Sequence, residues 1–431
     1  TKAAGSANGQ INWTFSAPDA QFDYLADGQT VTLTYTVRLN DGDGGITTQT
    51  VAVTVTGTND RPVFVAGDVR VGVENLDTTG SSALETFNGT LGFVDADRDD
   101  VGHTASVTYS NATGTTAGLN AVDVENALSI GTVTKAANSV GGTVAWTFSA
   151  ADKAFDYLAA GETVTLAYQV TVDDLEGKTN STDMTTIYVT IVGTNDRPVI
   201  VTGDETRGLT EYAAATGSTT SQTAVGTFDF TDVDLTDVHT TDATLTGAVW
   251  SGNGAIPDAT LAAIEHALLT SITNDATGDG AGVIGWSFGL EDQYVDFLAA
   301  GETLTLTYTV TLADDSGTSN DEALTRTVTI TITGTNDVAT IEAGTGSLTE
   351  LFDHTLDLSA HSVTGWLNFT DVDLNDVGHT ASVISVARSG ETDGLPGGFL
   401  GNLLVQSYLH IDGLTKAAGS ANGQINWTFS A

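Results

Sequence analysis

Threonine alternates with aliphatic residues along much of this chain. TVTLTYTV at 30–37, TVTLAYQV at 163–170, TLTLTYTV at 303–310 and TVTITITG at 327–334 switch between polar and apolar side chains at nearly every step. A period of two sends successive side chains to opposite faces of an extended backbone, so these runs predict strands with one face buried. Gly, Asn and Asp clusters punctuate them at short intervals, as the turns of a β-sandwich do. One stretch departs from the alternation. PDATLAAIEHALLTS at 257–271 has helical spacing, which predicts a short helix packed on the sandwich with Asp258 as its N-cap.

The pattern itself recurs, and this sets the domain organisation. GTNDRPV at 57–63 returns at 193–199 and, as GTNDVAT, at 334–340. FDYLADGQTVTLTYTV at 22–37 returns at 155–170 and 295–310, and FVDADRDDVGHT at 93–104 returns at 230–241 and 369–380. Complete units are therefore expected at 62–197 and 198–338, with the C-terminal part of a unit at 1–61 and an N-terminal part at 339–431. Tryptophan recurs in the same context as Trp13, Trp146, Trp286 and Trp427. Its place within apolar strand patterns predicts a core residue, not a ligand platform.

Composition narrows the function. The chain has 431 residues, with 13 basic against 55 acidic, for a net charge of −42. Such a surface repels nucleic-acid phosphates and anionic lipid, and it repels itself unless cations neutralise it. There are no cysteines, which removes disulfides, thiolate metal sites and Cys nucleophiles. No apolar run approaches membrane-span length, so direct membrane insertion is not expected. The first residues carry no signal-peptide pattern, so an export address is expected outside them.

The acids sit at matched positions in the copies. Each junction carries Asn-Asp: Asn59-Asp60, Asn195-Asp196 and Asn336-Asp337. A glutamate follows each (Glu74, Glu211, Glu350), and then a D-x-D pair: Asp95 and Asp97, Asp232 and Asp234, Asp371 and Asp373. Before each junction come an Asp of the FDYL segment (Asp23, Asp156, Asp296) and an Asp in a glycine turn (Asp41, Asp174, Asp314). In extended chain a D-x-D pair presents both carboxylates on one face. Sets of carboxylate, amide and backbone oxygens suit Ca²⁺, which takes six to eight such ligands, better than Mg²⁺, which retains its waters. No His or Cys is expected in the set, which argues against zinc. Any one of these motifs can equally be a turn; their recurrence at fixed offsets favours the cation.

These same residues carry a resemblance. FDYLAAGETVTLAYQV followed by GTNDRPV resembles the VCBS-type repeat of giant bacterial surface adhesins of the RTX and biofilm-associated kind. The ordered set of Glu, D-x-D, later Asp and junction Asn-Asp resembles the calcium pattern of cadherins. The resemblance covers essentially the whole chain. It departs at Val338-Ala339, which replaces Arg-Pro, and at Val73, which precedes its glutamate where a Thr precedes the others. It implies an all-β fold of tandem Ig- or cadherin-like Greek-key sandwiches, each with a short helical insertion, arranged as an elongated rod. It also implies that each junction collects ligands from both sides. The junction at Asn195-Asp196 would use Glu74 and Asp156 with Asp232, Asp234 and Asp314. The junction at Asn336-Asp337 would use Glu211, Asp296, Asp371 and Asp373, and the one at Asn59-Asp60 would use Asp23, Asp95, Asp97 and Asp174. The implied role is a calcium-rigidified extender of an extracellular adhesin or matrix fibre, on a bacterial surface or in a biofilm. Its partners would be further copies of the repeat, in tandem or by lateral or head-to-tail contacts.

Other chemistries remain to be weighed. Paired carboxylates can serve glycoside hydrolysis, but an active site has no reason to be copied at each junction, so no enzyme is expected. His103, His239 and His379 read as turn or strand residues. Lys2, Lys135 and Lys416 stand eleven residues before the repeat tryptophan and invite an isopeptide crosslink, yet Asp275 holds that place in the remaining copy. A calcium-dependent polysaccharide-binding module is the alternative reading, for which Trp250 and Trp366 are the candidate rings. A filament completed by edge strands is a third. TKAAGSANGQINWTFSA stands at both 1–17 and 415–431, an offset of 414 residues. That offset predicts a longer array with a three-unit super-period.

Overall fold

The computed structural model describes residues 1–74, 79–314, 316–318, 325–350, 359–387, 389–390 and 408–430. The chain divides into two compact units. One comprises Thr1–Asp196 with Val233–Asp237 and Gly278–Gly280; the other comprises Arg197–Asp232, Val238–Thr277 and Ala281–Ala431.

The first unit opens on an antiparallel hairpin of β1 (Thr30–Asn40) and β2 (Ile46–Thr56), paired from Thr30↔Thr56 to Asn40↔Ile46. Eight further strands follow: β3 (Val63–Phe64), β4 (Asp68–Val73), β5 (Leu84–Val94), β6 (Thr104–Gly114), β7 (Leu128–Lys135), β8 (Gly141–Ala151), β9 (Thr163–Asp173) and β10 (Thr182–Val192). They form two four-stranded sheets, β3-β5-β8-β7 and β4-β10-β9-β6. This is the strand order of an Ig-type sandwich, with the opening strand broken so that β3 joins one sheet and β4 the other. All neighbours are antiparallel except β4 and β10, which run parallel from Asp68↔Ile187 to Val73↔Val192.

The threonine alternation does what it predicts. Val164, Leu166, Tyr168, Val170 and Val172 of β9 are fully buried and share one core with Val144, Trp146 and Phe148 of β8. Each such aliphatic contributes roughly 1.5–3 kcal/mol by leaving water. Between β6 and β7, α1 (Ala121–Val124) makes a single turn, with the Asn120 side chain accepting from the Val122 amide. Its last carbonyl lacks an intrahelical partner, and the Tyr168 hydroxyl reaches across the core to donate to Val124 O at 2.7 Å.

The second unit repeats this plan. Its strands are β11 (Val199–Ile200), β12 (Glu205–Thr210), β13 (Ser221–Thr231), β14 (His239–Trp250), β15 (Leu268–Asn274), β16 (Ala281–Glu291), β17 (Thr303–Asp314) and β18 (Arg326–Thr333). They make sheets β11-β13-β16-β15 and β12-β18-β17-β14, with β12 parallel to β18. A further sheet, β19-β20-β22-β21, is built from β19 (Thr340–Ile341), β20 (Ser362–Thr370), β21 (Leu409–Lys416) and β22 (Asn422–Ser430).

Two details of the expected helix are corrected. Helix α2 spans only Asp258–Ile264, because LLTSITN is taken into β15, where it pairs with β16. Pro257 holds the N-cap position, and Asp258 is the first helical residue, not the cap. The Tyr308 hydroxyl donates to Ile264 O at 2.6 Å, as Tyr168 does to α1. The corresponding stretch of the last copy, at 391–407, lies outside the described residues. Trp146, Trp286 and Trp427 are core residues, whereas Trp13 is 58% exposed.

Candidate cation-binding junctions

Parallel pairing positions the first acid of the cluster. As β4 ends, Glu74 N bonds Val192 O, which carries the glutamate to the place where the chain leaves β10 for Asn195-Asp196. There Glu74 Oε2 accepts from Thr194 N at 3.1 Å. The 3-10 turn Asp152–Ala154 after β8 brings in Asp156, whose Oδ2 accepts from Gly80 N at 2.6 Å. The Thr79 hydroxyl donates to Asp196 Oδ1. Glu74, Asp156 and Asp196 are all buried and offer oxygens within 4.8 Å of one another. Asp234, in the loop of the same unit, accepts from Asp196 N at 2.8 Å.

The second unit builds the same constellation at Asn336-Asp337. Glu211 Oε2 accepts from Thr335 N at 2.7 Å, Asp296 Oδ2 from Gly217 N at 2.7 Å and Asp337 Oδ1 from the Thr216 hydroxyl at 2.5 Å. Oxygens of Glu211, Asp296 and Asp337 again lie within 4.8 Å. Asp373 Oδ2 accepts from Asp337 N at 2.9 Å, and Asp371 Oδ1 accepts from Asp373 N at 3.1 Å. The Asn336 side-chain amide donates to Asp337 O at 2.7 Å. In the same unit Asp232 and Asp314 are buried, Asp314 closing its own turn by accepting from Ser316 N.

At Asn59-Asp60 the D-x-D side is assembled. Asp97 Oδ2 accepts from Asp60 N at 2.8 Å, Asp95 Oδ1 accepts from Asp97 N at 2.9 Å, and the Asn59 amide donates to Asp174 Oδ2 at 3.1 Å. Asp23 is exposed, although its charge, after burial itself, helps push Asp60 upward. Two predicted positions stand apart. Asp41 is exposed and holds its turn, Oδ1 accepting from Asp43 N and Gly45 N, bonds that lower its pKa. Glu350 is exposed and lies in no strand.

Several members of the site were not foreseen. The histidines do join it: His103 Nε2 lies 2.6 Å from Asp95, His239 Nε2 2.8 Å from Asp232, and His379 Nε2 2.5 Å from Asp371. Each imidazole thus contacts a carboxylate of the expected set, a contact the sequence reading did not include. The imidazole reaches back seven or eight residues to the first Asp of D-x-D, whichever of two registers it starts from. Asp100 and Asp376 also approach these pairs. The signal available was a His at near-constant offset from the D-x-D pair. Thr79 and Thr216 carried a signal too, each opening a Thr-Gly-Ser run five residues after its glutamate.

Enclosing acids together has a cost. Burial, then the neighbouring carboxylates, pushes Glu74 up to about 8, and Glu211 likewise up to about 8. The same causes raise Asp97 and Asp373 to about 7 and Asp296 to about 6. At each junction buried acceptors lack a donor among the described residues: Asn59 Oδ1 and Asp97 Oδ1; Glu74 Oε1; Glu211 Oε1, Asp296 Oδ1, Asp337 Oδ2 and Asp373 Oδ1. An unpartnered buried acceptor costs about 1–3 kcal/mol. Acceptor-only oxygens converging within ligand distance are what a hard divalent cation takes as its ligands, so these residues fit calcium. The glutamate-centred trios contain no nitrogen or sulfur, which does not suit zinc.

No protein-family model matches the chain, and no curated protein matches it either. Among solved structures, zebrafish RET cadherin-like domains 1 to 4 align with 70% of this chain and 58% of that one, at 12% identity and TM-score 0.21. The human desmocollin-1 ectodomain aligns with 92% of this chain and 58% of that one, at 11% identity and TM-score 0.25. CfaE, the adhesive subunit of CFA/I fimbria of enterotoxigenic Escherichia coli, aligns with 64% of this chain and 99% of that one, at 9% identity and TM-score 0.29. The chain thus spans 58% of the length of the first two. Its own strand order defines the class: tandem Ig- or cadherin-like β-sandwich domains. No helix among the described residues is long and apolar enough to cross a membrane.

Proposed function

We propose that these repeats are calcium-stiffened structural segments of an extracellular adhesin or matrix fibre, of the bacterial surface or biofilm kind that the VCBS-like motifs resemble. The observation that carries this reading is the set of buried, donorless carboxylate oxygens repeated at the junctions. Glu211, Asp296, Asp337 and Asp373 would hold calcium at one junction; Glu74, Asp156, Asp196 and Asp234 would do so at another. At the remaining one Asn59, Asp60, Asp95, Asp97 and Asp174 would serve. When bound, calcium supplies the positive charge that lets these carboxylates lie together ionised. The Asp337 backbone bond to Asp373 and the Glu211 bond to Thr335 already fix linker and sandwich in one geometry. Without a cation, ionised carboxylates at these places repel one another, and the linkers become hinges. Extracellular modules typically bind calcium at about 10⁻⁴–10⁻³ M, so stiffening would be confined to the outside of the cell.

Repetition supports a spacer and not an enzyme, because length is what copies add. The polysaccharide-binding alternative loses one of its two candidate rings: Trp250 packs edge-on against Phe297 at 4.9 Å and donates to Glu302. Trp366 remains 62% exposed. The test is small-angle scattering of the full chain in millimolar calcium and after chelation. A larger maximum dimension with calcium is expected; identical profiles, together with no calorimetric heat of calcium binding, would overturn the proposal.

A further inference from the structure

One recurrent position is absorbed by neither the fold nor the carboxylate sites. Eleven residues before the core tryptophan stand Lys135 and Lys416 in two copies, and Asp275 in the copy between them. The lysines are not aimed at a side-chain carboxyl, as a crosslink would need. Lys135 Nζ donates to the backbone carbonyls of Asp97 at 2.5 Å and Asp100 at 2.7 Å. Lys416 Nζ donates to the carbonyls of Asp373 at 2.6 Å, Leu374 at 3.3 Å and Asp376 at 2.8 Å. Each ammonium is thus a built-in monovalent cation seated on the backbone of the D-x-D loop. In both copies the far nitrogen of the histidine, Nδ1 of His103 and of His379, is buried with no partner among the described residues.

The Asp275 copy is wired differently. Asp275 Oδ1 lies 2.6 Å from His239 Nδ1, and its Oδ2 accepts from His239 N at 3.3 Å, while Asp232 takes the other ring nitrogen at 2.8 Å. A carboxylate therefore clamps the imidazole where the other copies place a lysine on the loop. The exchange of a lysine for an aspartate removes one positive charge and adds one negative charge. Even with a full positive charge on His239 counted against it, this copy remains more negative around its D-x-D carboxylates. A charge close to a divalent ion changes its binding severalfold even at high dielectric.

We infer that the residue at position 135, 275 or 416 sets how tightly each copy's D-x-D carboxylates hold a divalent cation, with the Asp275 copy tightest. In the lysine copies the ammonium competes by charge, and in exchange it stabilises the loop when no metal is bound. This rests on the calcium reading above. It predicts opposite effects on binding and on metal-free stability, which a purely structural lysine would not produce.

The experiment is calcium titration by calorimetry on the full chain at fixed ionic strength, paired with melting of the chelated chain. Asp275→Lys should weaken the tightest class of sites about tenfold and raise the melting temperature of the chelated chain. Lys135→Met should strengthen one of the weaker classes by a similar factor and lower that melting temperature. Asp275→Asn, which keeps the size of the side chain, should fall between wild type and Asp275→Lys in affinity. Unchanged affinities in all three variants, or Lys135→Met weakening both binding and stability, would overturn the inference. A wild-type chain that binds no calcium would instead remove the calcium reading, and the inference with it.

Discussion

A carboxyl group enclosed among other carboxyl groups keeps its proton longer than it would in water, and Glu74 and Glu211, both pushed up to about 8 from 4.5, show this most strongly. The consequence for stability has a definite sign. A group whose folded pKa is raised favours the fold most below its unfolded value, and that contribution is lost as pH climbs through the folded value. The chelated chain should therefore melt at progressively lower temperature from pH 4.5 toward pH 8, and excess calcium should flatten the trend. Calorimetric melting across that range checks it; a chelated chain that grew more stable toward pH 8 would contradict it. Glu211→Gln should separate the two roles of that side chain. At pH 8 it should raise the melting temperature of the chelated chain by removing a buried charge, and it should weaken calcium binding at its junction about tenfold or more. At this scale the sequence was legible where acids recur at fixed spacing, as Asp95 and Asp97 do. It set His103 and Lys135 at recurring offsets but not what either touches, because that depends on a loop folding back toward a strand end, and no periodicity records it.

Between elements, the tight fit of strand on strand depends on small residues opposite large ones. Gly89, Gly226 and Gly365 face Trp146, Trp286 and Trp427 in register, and a Cβ added to any of them would lie 2.2–2.4 Å from the indole ring. Gly226→Ala should thus cost about 1–3 kcal/mol through overpacking, read as a lower urea midpoint with unchanged slope. Tyr308→Phe should cost about 1 kcal/mol, since Ile264 O loses the hydroxyl donor and keeps the 3.4 Å bond from Ala267 N. The sandwich strands were legible from alternation, and the buried tryptophans followed from it. The helix was legible only in part, because LLTSITN carries apolar residues that serve a strand equally well, and pairing with β16 decides the matter. Leu374 was not legible at all. It leaves its acidic loop to pack on the core of the preceding copy and donates its amide to Phe297 O at 3.2 Å.

For the molecule as a whole, a charge of −42 over 431 residues makes cation supply a global variable as well as a local one. Monovalent salt should recover part of the stability of the chelated chain by screening, while millimolar calcium should recover more at far lower ionic strength. Limited proteolysis can report this locally: cleavage of the chelated chain should concentrate at the segments around 59–61, 195–197 and 336–338, and calcium should suppress it there. The recurrence of long strands was legible because the motifs are copied; the division of each opening strand between two sheets was not, since a two-residue strand such as β3 leaves no alternation to read.

That divided strand has a mechanical consequence. In each complete sandwich the first long partner of the final strand runs parallel to it, β4 with β10 and β12 with β18. Tension applied through the two linkers pulls on the start of one strand and the end of the other. The hydrogen bonds between them lie across the direction of pull, so the six register pairs from Asp68↔Ile187 to Val73↔Val192 share the load in shear. A hairpin at the same place would open one pair at a time. Each copy is thus closed by a clasp that must fail all at once, which is the arrangement to place wherever a chain has to bear drag.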